Sequence, residues 1–192
     1  KVDTHDFPDK KLGKVAPYGV YDISQNKGWI SIGVSKDTAE FAVQSIRDWW
    51  EEMGKAVYKN STRIMITADC GGSNNYRARL WKANLQKLSN ELGKSILVCH
   101  FPPGTSKWNK IEHRMFSFIS QNWRGKPLVS LQTVVELIGN TTTKSGLLVK
   151  TKINKNEYKT GIKISDEEFK SINIEHLKFQ PLWNYEIHPQ GL

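Results

Sequence analysis

Asp69 closes the apolar run RIMITAD (63–69), and CGGSNN follows at once, a stretch whose paired glycines permit a sharp turn. Glu112 lies 43 positions further on, after FPPGTSKWN, among Lys107, Lys110, His113 and Arg114. Two carboxylates are hard oxygen ligands. With water and a substrate phosphate completing the shell, they are what a magnesium or manganese site uses. A two-metal site of that kind clamps the attacking and leaving oxygens of a phosphodiester. Lys107, Lys110 and Arg114 fall at i, i+3 and i+7, one helical face along which phosphates can run. Arg77 and Arg79, past the Gly-Gly turn, are of the type that contacts phosphate. His113 is placed to reach phosphate or orient Glu112, and Asn109 to cap the next helix or position the loop. Each residue also has an ordinary use. An Asp after a strand caps a turn or a helix, and a Glu in a basic helix is a solvated ion-pair partner worth little. Spacing alone leaves these alternatives open.

The whole chain agrees with a polyanionic partner. It has 192 residues with a formal net charge of +9, the electrostatic footprint of a protein that meets nucleic acid. Composition is 38% hydrophobic with seven Trp, which suits one sizeable core and argues against disorder. Cys70 and Cys99 are too few for a disulfide framework and lack metal-ligand spacing, so a reducing compartment fits. No window approaches eighteen apolar residues and no signal peptide is visible, so the expectation is a cytoplasmic protein with no membrane partner.

The elements that must position these residues follow from period and punctuation. KVDTHDFPDKKLGK reads as a loop, and VAPYGVYDI (15–23) and GWISIGV (28–34) as an antiparallel pair. In DTAEFAVQSIRDWWEEMG, Asp37 and Glu40 form a capping-box-like start. Ala42, Ile46, Trp49, Trp50 and Met53 make the buried face, and Gly54 closes the helix. RIMITAD reads as a buried strand. A helix over 77–94 follows, with Leu80, Trp81, Leu85, Leu88 and Leu92 on one face, and then the strand SILVCHF (95–101). From Trp108 a helix carries the stripe Trp108, Ile111, Met115, Phe118 and Ile119, and another covers LQTVVELIGNT. LLVKTKIN and YKTGIKIS read as two short strands, SDEEFKSIN as a helix start, and FQPLWNYEIHP as an extended tail packing back on the body. The order is that of an α/β layered domain, with parallel pairs where a helix intervenes and ligands outside the carboxyl ends of the strands.

ITADCGGSNNYRARLWKANLQKL followed by VCHFPPGTSKWNKIEHRMFSFISQNWRGKPLVS resembles the Rhodopirellula-type DDE transposase domain family, and more distantly mariner-like transposases. The resemblance extends to HDFPDKKLGKVAPYGVYDI, the DTAEFAVQSIRDWW helix and the closing WNYEI. It implies an RNase H-like mixed sheet flanked by helices, and a metal-dependent DNA strand-transfer enzyme using an Asp-Asp-Glu triad with Mg²⁺ or Mn²⁺. Asp69 is then the second acid and Glu112 the third. The first Asp of relatives lies on a strand before the HDF segment, so the first acid and first strand are expected upstream of this chain, with Asp22 as an in-chain substitute. Residues 1–144 are expected to be the catalytic core and 145–192 a small α/β extension. The implied partners are insertion-sequence ends and target DNA, met as a homo-oligomer in a bacterial, nucleoid-associated setting. The rival readings are a catalytically inactive, truncated or domesticated DNA-binding domain, and a structure-selective nuclease of the same fold.

Overall fold

The computed structural model of the chain describes residues 15–126 and 130–191, and the N-terminal segment read as a loop lies outside them. In chain order the elements begin β1 (Ala16–Asp22), β2 (Lys27–Gly33), α1 (Ala39–Trp49), a π-helical turn (Trp50–Gly54), α2 (Lys55–Val57), β3 (Arg63–Ala68), α3 (Arg79–Leu92) and β4 (Ser95–His100). A 3₁₀ turn (Ser106–Trp108), a second π-helical turn (Glu112–Phe116), α4 (Ser117–Trp123), α5 (Leu131–Gly139), β5 (Leu148–Asn154), α6 (Asp166–Lys170), β6 (Ile174–His176) and β7 (Asn184–Ile187) complete them. The strands form two mixed sheets flanked by helices, the α/β, RNase H-like class expected. The chain divides into two units, one from the described residues of Lys1–Asp37 and Lys110–Tyr158, the other from those of Thr38–Asn109 and Lys159–Leu192.

In the first unit the sheet runs β1-β2-β5, with β1 antiparallel and β5 parallel to β2. The hairpin turns on Asn26, whose φ of 52° lies in the left-handed region that Asn tolerates. Ile30, Ile32, Val149, Leu147, Met115, Ile119, Val134 and Ile138 form one buried cluster, so the helical face that begins at Ile111 packs where its period predicts. Gly19 is a packing requirement, because a Cβ there would stand 2.6 Å from the Phe116 ring.

In the second unit the sheet order is β3-β4-β7-β6, with β3 parallel to β4 and the other pairs antiparallel. Ile96, Val98, Tyr185 and Ile187 are buried, as are Trp81, Leu85 and Leu88 of α3 and Phe41, Ala42 and Ile46 of α1. Arg63 clamps the buried Glu186 through two bonds of 2.8 and 2.6 Å, tying β3 to β7 across β4.

Several expectations shift. Thr38, not Asp37, caps α1, its Oγ1 accepting from Phe41 N at 3.3 Å. Gly54 does not end the helix but lies in the π-helical turn that leads into α2, where a Cβ would come within 3.0 Å of the Trp50 ring. RIMITAD is not fully buried, because β3 ends its sheet order and Met65 is 61% exposed. Trp108 leaves the expected apolar stripe, because it belongs to the 3₁₀ turn before the helix and is 59% exposed. YKTGIKIS is not a strand, and Gly161 at φ +77° interrupts its extended course. Its partner LLVKTKIN is β5, while the capping box of Ser165 and Glu168 starts α6 as read.

Candidate active site

Asp69 follows the last residue of β3, at the carboxyl end of a strand inside the four-stranded sheet's parallel pair. The turn after it is fastened to the end of β4: Phe101 N donates to Ala68 O at 2.8 Å and Cys70 Sγ to Phe101 O at 2.8 Å. Gly72 takes a φ of +59°, which a β-carbon would resist. The chain doubles back through this turn, and Asn74 Nδ2 donates to Asp69 Oδ1 at 3.1 Å. Asn75 then accepts from Arg77 N at 2.8 Å, the Asx turn that admits the chain to α3. Burial first, and then the Asp69 carboxylate, push the Cys70 thiol up, with Arg77 pulling it down, so Cys70 is held as a neutral thiol beside the acid.

Behind Asp69 lies a group of buried polar side chains that no motif in the sequence marks. His100 ends β4, 5% exposed, opposite Ala68 in the parallel register. Its Nδ1 is 2.8 Å from the Asp69 carbonyl oxygen and its Nε2 is 3.1 Å from the Tyr185 hydroxyl. Trp81 Nε1 donates to that same hydroxyl at 2.9 Å. Desolvation, the largest effect, holds the His100 imidazole below its ordinary pKa, and burial raises that of Tyr185. The available signal was the alternation in SILVCH, which puts His100 on the same face as Ile96 and Val98.

The basic residues divide by use. Arg77 lies exposed over the Tyr76 ring, 5.1 Å from its centroid, with Nε donating to Tyr76 Oη at 2.7 Å. Arg79 is engaged inside its unit, paired to Asp166 at 2.5 Å and stacked 4.9 Å from the Phe169 centroid, where it holds α6 to α3. Lys107 is exposed in the 3₁₀ turn, and Asn109 precedes the first helical residue, Lys110.

Asp22 and Glu112 belong to the first unit and Asp69 to the second. Asp22 Oδ1 accepts from Ser24 N and Gln25 N, both at 3.0 Å. Glu112 opens the π-helical turn, exposed, followed by the exposed His113 and Arg114. A π-helical widening inside an α-helix is a feature that recurs at functional sites. Among the described residues no three of His, Cys, Asp and Glu are grouped to hold an ion. The donor chemistry of Asp69 and Glu112 nevertheless fits a hard divalent cation, which takes carboxylate oxygen and retains water.

A family model described as the Rhodopirellula transposase DDE domain matches residues 1–189. No curated protein and no solved structure matches the chain.

Proposed function

Because the chain belongs to the Rhodopirellula transposase DDE domain family, matched over residues 1–189, we propose that it is the catalytic core of a transposase that cuts DNA at insertion-sequence ends and joins it to a target. One observation carries the reading: Asp69 leaves the carboxyl end of β3 on a turn that is hydrogen-bonded on both sides, with one carboxylate oxygen already oriented by Asn74. Ligands gather at that end of an α/β sheet. Asp69 and Glu112 are the acids that would hold Mg²⁺ or Mn²⁺, and such an ion, when bound, neutralises the charge that develops on phosphate oxygens. Lys107, Lys110 and Arg114 bind the DNA backbone, Arg77 adds a phosphate contact, and His113 and Asn109 steady the strand presented to Glu112. In the first step a water oxygen attacks phosphorus and the bond to the 3′ oxygen breaks, leaving a 3′-hydroxyl. In the second that hydroxyl attacks a target phosphodiester, so one such bond forms as another breaks.

A second reading, a domain that binds DNA without cutting it, rests on the net charge of +9, which suits a polyanionic partner whether or not the acids act. The two part on one experiment, in which full-length protein is incubated with Mg²⁺ and DNA carrying the element ends. Asp69→Asn and Glu112→Gln are each expected to lower cleavage by at least about 10²-fold, as loss of a charge-stabilising group does, with DNA binding and melting unchanged. Normal cleavage by either variant overturns the site, and wild-type protein that binds without cutting establishes the second reading.

A further inference from the structure

With a neutral imidazole, the state that burial favours, the buried polar group behind Asp69 has only one arrangement of protons. A backbone carbonyl can only accept and an indole N–H can only donate. The Asp69 carbonyl therefore requires the proton on His100 Nδ1, 2.8 Å away. At the other end, Trp81 Nε1 donates to the Tyr185 oxygen at 2.9 Å, which turns the Tyr185 hydroxyl proton toward the bare Nε2 of His100 at 3.1 Å. Which imidazole nitrogen carries the proton is set by the bond the other makes. Donation runs one way, from α3 through β7 and β4 to the end of β3. Trp81 and Tyr185 are 0% exposed and His100 5%, so water does not compete for any of these bonds.

We infer that His100, locked as its Nδ1–H tautomer by Tyr185 and Trp81, is a positioning residue that fixes the Asp69 peptide and so the direction in which the Asp69 carboxylate leaves the strand. The geometry singles out this peptide. The residues that follow are Cys70, Gly71 and Gly72, and two successive glycines cannot hold a direction by themselves. The carboxylate is bonded from the front by Asn74 and its own carbonyl from behind by His100, so both ends of one residue are pinned. The four residues come from β3's end, β4, β7 and α3, which makes the C-terminal strand at Tyr185 part of what aims the acid. The consequence for metal binding rests on the reading of Asp69 given above; the hold on the peptide does not.

Two substitutions separate positioning from packing. His100→Asn places an amide nitrogen where Nδ1 stood and retains a donor to Asp69 O. His100→Gln places its polar atoms at the Nε2 position and loses that donor. By amide hydrogen exchange, His100→Gln is expected to speed exchange across residues 70–75 by about fivefold to tenfold, the loss of one hydrogen bond. His100→Asn leaves that turn near wild type, although both variants disturb the core. Equal acceleration in the two, or none in His100→Gln, overturns the inference. Because a buried substitution can fail to fold, the wild-type chain supplies its own test. The ring ¹⁵N spectrum is expected to show a protonated Nδ1 and a bare Nε2, and the opposite tautomer overturns the inference outright. Mn²⁺ titration of the same samples reads the other claim: His100→Gln weakens binding severalfold and His100→Asn does not. A wild-type chain with the expected tautomer and exchange pattern but no Mn²⁺ affinity supports the positioning role and sinks only the metal-site reading.

Discussion

Asp22 accepts two backbone N–H groups on one oxygen, 3.0 Å from Ser24 N and from Gln25 N, which is how an aspartate closes a turn. Asp69 uses an oxygen on a side-chain amide and bonds to the rest of the molecule through its carbonyl. Both residues end strands, so only their partners tell a turn-former from a site acid. Asp22→Asn keeps the accepting oxygen and removes the charge. It is expected to change stability by less than about 0.5 kcal/mol, the range of surface substitutions away from special features, and to leave DNA cleavage by the full-length protein intact. Asp22→Ala removes the acceptor and is expected to cost about 1 kcal/mol, the worth of such a bond, again with cleavage retained. Thermal melts and a cleavage assay on the two variants decide it. Loss of cleavage in Asp22→Asn at unchanged melting temperature would place Asp22 among the catalytic acids.

At the scale of elements, the helices were legible because their faces repeat with the helical period: Trp81, Leu85 and Leu88 are buried in α3 as that period requires. The strands were legible one at a time, but their partners were not. β5 joins β2 and β7 joins β4 through pairings of high sequence separation, and no local pattern distinguishes that from one continuous sheet. The candidate acids could be read from strand ends, whereas the support behind Asp69 needed the fold, because Trp81, His100 and Tyr185 meet only in three dimensions. The same α3 face holds a group that hydrophobic periodicity would assign to solvent. Lys82 is 7% exposed, its ammonium 4.9 Å from the Tyr185 ring centroid and 5.8 Å from that of Phe169. Burial holds its pKa below the usual lysine value. Wherever the ammonium is charged in both states, the folded state bears the desolvation, offset in part by the rings. As pH rises through the depressed folded pKa toward the unfolded value of 10.5, the unfolded chain keeps a proton that the folded chain has lost, so stability gains from this group with pH. Lys82→Met is therefore expected to raise Tm at pH 7 by about 2–4 °C, the shift from ~1 kcal/mol in a domain of this size. That advantage narrows as pH approaches 10. An advantage independent of pH would mean that burial of the charge is not what the variant relieves.

For the molecule as a whole, a net charge of +9 is a statement about association rather than fold. DNA binding that releases counterions gives log K falling linearly with log salt, with a slope of about 0.9 per neutralised phosphate. The exposed Lys110 and Arg114 differ in that account from Arg79, which is equally cationic but tied to Asp166 and stacked on Phe169. Neutralising Lys110 or Arg114 with Gln is expected to flatten the salt slope by about one unit each and to weaken binding similarly for any sequence, as a backbone contact does. Arg79→Gln is expected to leave the slope unchanged and to cost less than about 1 kcal/mol of stability through its surface ion pair. Fluorescence-anisotropy titrations of a DNA duplex at several salt concentrations separate the two classes. If Arg79→Gln flattened the slope as much as Arg114→Gln, charge would be acting as a diffuse field over the surface. The helix that carries Glu112 would then have no special claim to the DNA.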